Sequence, residues 1–355
     1  MICFNFSSDL FPVALFLHYG GFYVLSARSD VVGPRYLMDR DMILVTCNFR
    51  LGSLGFLSTG DNLAPGNNGF KDQVVVLSWI QRNIAAFGGD PDNVSLLGCG
   101  SGAYSVALHM LSPMSKGLFH RAVSMSSSPF SQVRIDRDQF DLAAKQARLV
   151  DCPFNTSSAI IKCLRTKPWQ EIGDSVNGFF ELPTNRVLYW TVVIERDFGQ
   201  ERFMPYDPLD AVRSGNLYSV PYIIGQTRDE YSWLANIILN NATLTKMLDK
   251  EYTKYAPIAF MLPKGSTLQA LTLRKKYLGL EPIRNDTTTL QNLGMMFGDA
   301  LIGFSSHRLA NIMCRYSKAP VYYYQFSYIG NNSFYENPVT KTPVGELFNY
   351  FICTY

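Results

Sequence analysis

The sequence predicts an α/β fold in which a mostly parallel central sheet is flanked by helices. Three observations carry that expectation. Short apolar, β-rich runs occur at Val13–Leu17, Met42–Asn48, Val94–Leu97, Ala122–Ser126, Pro221–Gly225 and Val321–Phe326. Stretches of helical pattern, at Phe70–Phe87, Tyr104–Leu111, Gln139–Leu149, Thr156–Thr166 and Met295–Tyr316, alternate with them, as crossovers between parallel strands would. The run Val94–Leu97 also leads through a glycine-rich turn, Gly98-Cys99-Gly100-Ser101-Gly102, straight into an apolar helix. No repeat, low-complexity tract or linker divides the 355 residues, so one domain spanning 1–355 is expected.

Taken in order, Val13–Leu17 delivers the loop His18-Tyr19-Gly20-Gly21-Phe22, where paired glycines suit a tight turn. Met42–Asn48 continues into NFRLG, and Phe70–Phe87 ends at the Gly-Gly of FGGDP that precedes the third strand. Ala122–Ser126 follows the junction LFHRAV, and Cys152 and Cys163 bracket a polar loop-to-helix stretch whose spacing could close a small loop. Pro221–Gly225 runs into QTRDEY. In the last run, Tyr322, Tyr323 and Tyr324 alternate and are read as core rather than as an aromatic binding strip.

Composition excludes several function classes. A net charge of +3 on 61 charged residues gives no electrostatic footprint for nucleic acid or a charged membrane surface. No apolar run approaches the ~18 residues of a membrane span. The opening MICFNFSSDLF lacks the basic and apolar regions of a signal peptide. Seven cysteines cannot all pair within the chain. Six N-x-[ST] sequons occur, and glycan is expected at Asn155, Asn241, Asn285 and Asn331; Asn5 is a further match, and Asn93 abuts a core strand where glycan would not fit.

The glycine-rich turn has the context of a nucleophile elbow, in which G-x-S-x-G holds a serine on a sharp strand-to-helix bend. Gly98 and Gly102 stand at the flanking places, and the tip between them is Gly100, which has no side chain with which to attack a carbonyl. Ser101 lies one residue late and is read as a cap or filler at the helix start. None of the four histidines follows the last strand.

The segments FLHYGGF, NFRLGSLGFLSTGD, PGNNGFKDQVVVLSWIQRNIAAFGGDP, LSPMSKGLFHRAVSMS, CPFNTSSAIIKCLRTKP and VPYIIGQTRDEYSW together resemble the type-B carboxylesterase and cholinesterase family of α/β-hydrolases. The resemblance covers nearly the whole chain. It implies an α/β-hydrolase fold, Glu230 as the triad acid, an oxyanion hole from the N–H groups of Gly20, Gly21 and Ser101, and a disulfide between Cys152 and Cys163. By the same resemblance VGELFNYFI places Val344 where relatives carry the base histidine. It also implies that the chain starts after the relatives' first strands and stops before their last helices.

With the nucleophile and base positions both replaced, the expectation is a catalytically silent member of the neuroligin, neurotactin, gliotactin and glutactin type. Such a protein acts by recognition or adhesion outside the cell, with a protein partner and a residual pocket for a small ester-like or apolar ligand. Neither cofactor nor metal is called for. The alternatives are an active serine esterase with an atypical site and a degenerate fragment without independent function.

Overall fold

The computed structural model describes residues 10–130, 135, 139–182, 190–263 and 265–328. Six strands form one sheet: β1 (Phe11–Leu17), β2 (Ile43–Thr46), β3 (Gly89–Cys99), β4 (Arg121–Met125), β5 (Tyr222–Thr227) and β6 (Val321–Phe326). Their order across the sheet is β2-β1-β3-β4-β5-β6, and every neighbouring pair is parallel. The α/β-hydrolase fold predicted from the sequence is the fold observed.

Helices α1 (Asn68–Asn83) and α2 (Ser101–His109) pack on the sheet, and α3 (Phe140–Leu149) and α4 (Ser157–Leu164) pack on each other beside it. A second group follows β5: α5 (Ser232–Leu239), α6 (Ala242–Lys250), α7 (Tyr252–Ala259), α8 (Thr267–Tyr277), α9 (Thr287–Gly298) and α10 (Phe304–Tyr316). The sheet core forms because β1 and β3 present Val13, Leu15, Leu17, Val94 and Leu96 to Phe70, Leu77 and Tyr104 from the first two helices, all buried. Strands buried on both faces in this way read as continuous apolar runs, which is why they were legible in the sequence. Helices α5 to α9 close over their own cluster, built on Leu234, Phe260, Leu293, Met296 and Phe297, while α10 packs Leu309, Ala310 and Met313 into the sheet core.

One expected helix is interrupted. The stretch read as Met295–Tyr316 begins earlier, at Thr287, and carries a π-helical turn over Asp299–Gly303 before α10 resumes. The tyrosine run divides as well: Tyr322 and Tyr323 are 58% and 44% exposed on the sheet edge, so only Tyr324 packs inward, over Gly225.

Strand order positions the site. The chain leaves β1 toward β2 on one side, then returns through α1 to place β3 on the other side of β1. Connections therefore diverge between β1 and β3, and the crevice beyond the carboxyl ends of these strands is the topological switch point where open α/β sheets bind ligands. The loop His18–Phe22 and the turn Cys99–Ser101 are the two segments that emerge there.

Candidate active site

Register brings the two segments together. Leu17 pairs with Gly98, so the glycine loop after β1 starts beside the elbow after β3. The flanking glycines are enforced by backbone approach. A Cβ on Gly98 would lie 2.3 Å from the Gly102 carbonyl carbon and oxygen, and one on Gly102 would lie 2.0 Å from the Leu17 carbonyl oxygen. Between them Gly100 adopts φ 54°, ψ −119°, a conformation open to glycine and costly for other residues. Its N–H donates to the Met125 carbonyl at 2.9 Å, which ties the elbow to the end of β4.

The tip is bare. Gly100 offers no nucleophile, and a Cβ there would meet the Tyr19 Cβ at 3.3 Å. The position read as the base, Val344, lies outside the described residues, as does the sequon Asn331.

Around the tip, the backbone donors keep the arrangement the sequence suggested. Gly20 (φ 122°) and Gly21 (φ 62°) form a tight turn in which the Gly20 carbonyl accepts from Tyr23 N and Val24 N, both at 3.1 Å. Among the described residues, the N–H groups of Gly20, Gly21 and Ser101 donate to no protein acceptor. Ser101 opens α2, where the first-turn N–H groups have no helical partner. These donors have the character of an anion or carbonyl cradle.

Two side chains at this end of the sheet hold unspent polar capacity. Ser101 is 5% exposed and its hydroxyl has no partner among the described residues. It does not cap α2, contrary to the cap reading of the sequence. His18 is 1% exposed and stacks on Phe49, centroids 4.6 Å apart. Its Nδ1 lies 2.7 Å from the Tyr19 carbonyl, an acceptor only, so Nδ1 carries the proton and Nε2 holds the lone pair. That Nε2 is buried without a partner among the described residues. Burial pushes the imidazole pKa below its ordinary value, against the pull of the Tyr19 carbonyl, which keeps the ring neutral at pH 7.

Glu230 follows β5 by three residues. Its Oε1 accepts from Ser126 Oγ at 2.5 Å and from Thr227 N at 2.9 Å. Burial pushes the carboxyl above the ordinary range, and these hydrogen bonds oppose the shift. Ser126 was not singled out in the sequence. It sits just past β4 with φ 59°, a conformation no local motif announces. Tyr231, also left-handed at φ 59°, buries its phenol beside Glu230 and stacks near Trp233 at 5.9 Å. Among the described residues no cluster of three or more His, Cys, Asp or Glu could hold a metal ion.

One more predicted feature resolves clearly. Cys152 and Cys163 form a disulfide with Cα atoms 5.8 Å apart. Arg50 and Asp72 form a bidentate pair, and the Arg50 backbone N–H also reaches Asp72.

The carboxylesterase family pattern matches residues 5–354. The chain belongs to the carboxylesterase family. It is 36% identical over 339 residues to Esterase FE4 of Myzus persicae, covering 93% of this chain and 58% of that protein. It is 31% identical over 339 residues to the juvenile hormone esterase of Tribolium castaneum, covering 92% of this chain and 58% of the relative. The crystal structure of juvenile hormone esterase from Manduca sexta, with OTFP covalently attached, superposes with a TM-score of 0.76. The identity there is 28%, over 92% of this chain and 61% of that one. The chain thus spans about three fifths of the length of the relatives it matches.

These relatives overturn one expectation. A non-catalytic recognition or adhesion protein was inferred from Gly100 and Val344, yet the similar proteins are named as ester hydrolases. The physical reason the inference failed is that it equated two side chains with the whole site. The cradle donors and two unspent polar groups remain at the switch point, and Glu230 is held beyond the neighbouring strand end by Ser126 and Thr227. The correction favours the alternative, an ester hydrolase with an atypical site.

Proposed function

We propose that this chain is a carboxylic ester hydrolase that works from an atypical elbow. The ester carbonyl oxygen lies against the N–H groups of Gly20, Gly21 and Ser101, which stabilise the charge that develops there. The nucleophile is the Ser101 hydroxyl, one residue beyond the bare tip. Its proton goes to Nε2 of His18, a neutral imidazole whose lone pair, like the Ser101 hydroxyl, has no hydrogen-bond partner among the described residues. The acyl C–O bond then breaks, the imidazolium gives that proton to the leaving alcohol, and water hydrolyses the acyl-serine. Glu230, held by Ser126 and Thr227, borders the site as a fixed, half-buried carboxyl.

The observation that carries this reading is the unpartnered, buried hydroxyl of Ser101 within a retained elbow, in a chain whose relatives are named esterases. A buried polar atom left without a hydrogen bond costs free energy, and such groups concentrate where function uses them. We also propose that the protein passes through the secretory pathway, supported by the Cys152–Cys163 disulfide. Among the described residues no helix is long and apolar enough to cross a membrane.

The test is hydrolysis of short-chain p-nitrophenyl esters by the full chain, with covalent labelling by a serine-directed organophosphate. Ser101→Ala should lower turnover by about 10⁶, to background, as loss of a nucleophile does. Peptide mapping should place the organophosphate on Ser101. Folded protein that neither turns over esters nor takes up the label would overturn the proposal.

A further inference from the structure

From the outer face of α1 we infer that two copies of this chain pair about a two-fold axis, with Arg82 of each copy set against Glu201 of the other. α1 turns Phe70, Gln73, Leu77 and Ile80 toward the core. A helix covered on one side normally carries polar residues on the other. Here the outer side carries Val75, 63% exposed, and one turn on Trp79, 40% exposed. The Trp79 ring lies 5.6 Å from that of Phe87, itself 55% exposed, so the apolar surface is continuous rather than scattered.

Beside this face runs an open groove of about 660 Å³. One wall is the ridge Lys71, Val75, Ser78 and Arg82, at i, i+4, i+7 and i+11 of α1, and the other is Met114 and Leu118. The ridge spans about 16 Å at 1.5 Å per residue. Opposite charges stand unpaired at its two ends. At the N-terminal end the Lys71 ammonium is already held by Glu195 at 2.5 Å. Glu195 also accepts from Phe203 N and Met204 N, and Phe203 stacks on Phe70, which brings Glu201 to this end of the groove. Glu201 is exposed and has no ion pair or hydrogen bond among the described residues. At the other end Arg82 Nε donates to the Ser78 carbonyl at 3.1 Å, and the guanidinium meets no carboxylate among the described residues.

This pattern fits a second copy of the same surface. A two-fold interface is self-complementary, so that if one residue meets another, the reverse contact is made as well. Laying two α1 helices antiparallel brings Arg82 over Glu201 at both ends, and each unpaired charge meets one of opposite sign. Val75 and Ser78 bracket the middle of the ridge, where the axis would pass. Their short side chains let the helix axes approach to the usual distance of about 8–10 Å. Val75 of each copy then enters the groove of the other, between α1 and the wall of Met114 and Leu118. Apolar contact at the axis supplies the affinity, and the charge pairs at the rim fix the orientation.

The experiment is sedimentation of the purified full chain over a dilution series. The native chain should pass reversibly from twice the mass of one chain to a single mass as it is diluted. Arg82→Glu and Glu201→Arg should each weaken association by about tenfold or more, because each change breaks two symmetry-related contacts and sets like charges face to face. The double variant Arg82→Glu with Glu201→Arg restores both pairs with their signs exchanged, and should recover the native dissociation constant to within about threefold. Val75→Glu, which places two carboxylates side by side at the axis, should leave only the single mass. All three positions are exposed, and circular dichroism should show each variant folded. A native chain that stays at the single mass throughout would overturn the pairing. So would a dimer indifferent to Val75→Glu, or one in which the exchanged charges fail to restore what each single change removed.

Discussion

Replacing Gly102 by alanine isolates the backbone packing that sets the elbow. The new Cβ would sit 2.0 Å from the Leu17 carbonyl oxygen, 2.8 Å from its carbon and 3.1 Å from the His18 oxygen. An ordinary C···O approach is about 3.3 Å, so the N-terminus of α2 must recede from β1 by about 1.3 Å. β1 cannot yield, because it pairs with β2 on one side and β3 on the other. Overpacking of this kind costs about 1–3 kcal/mol. The same displacement separates the Ser101 N–H from those of Gly20 and Gly21, and a misplacement near 1 Å costs about 10²-fold in rate. Urea denaturation and p-nitrophenyl ester turnover measure the two effects. The matched control is Gly173→Ala, in the short helix Trp169–Asp174, where an added Cβ meets nothing within 4 Å and φ is ordinary. That change should be neutral or stabilise by about 0.4–1 kcal/mol. If Gly102→Ala matched the control in both stability and rate, the argument that Gly98 and Gly102 fix the cradle would fail.

Glu195→Ala should destabilise by about 1–3 kcal/mol, because it removes the acceptor from the backbone N–H groups of buried Phe203 and Met204 and the ion-pair partner from half-buried Lys71, and takes one of two acceptors from Asn67 Nδ2; calorimetry or urea melts would show it, and an unchanged midpoint would refute the role. Cys152→Ser should cost about 3 kcal/mol on the loop-closure argument, and should lose its effect in reducing buffer. His109, buried between Gln73 and Ser115, has its pKa held down at about 3 by burial. Because the folded value is depressed, its contribution is complete above the unfolded value near 6.5 and falls by about 1.4 kcal/mol per pH unit on acidification toward 3. Urea melts of His109→Gln between pH 7 and 5 should lack that part of the slope, and equal slopes in both proteins would refute the assignment.

All six strands were legible because each contains an apolar or aromatic run bounded by turn residues. The helices α5 to α8 were not. They are 8 to 11 residues long; α7 contains Pro257, a residue that argues against helix, and α8 buries only Ala270, so no apolar stripe marks it. Their stability comes from packing on one another and on α9, which no local window of sequence shows. The π turn at Asp299–Gly303 is invisible for the same reason: propensities register a helix and not its hydrogen-bond step.

At the site, the flanking glycines could be read from the sequence because backbone approach leaves no other residue type. Ser126 and the orphaned atoms of His18 and Ser101 could not, since a missing partner is a property of three-dimensional neighbours. This also explains why the bare tip misled. The shape of the elbow is fixed by Gly98, Gly102 and the Gly100 N–H to Met125, none of which involves a side chain at position 100. A serine held at φ 54° would bear about 1–2 kcal/mol of strain, and glycine removes it while leaving the turn unchanged. The scaffold therefore retains its cradle whatever stands at the tip. The proposed mechanism then rests on the Ser101 hydroxyl and the His18 imidazole, whose Oγ and Nε2 have no hydrogen-bond partner among the described residues.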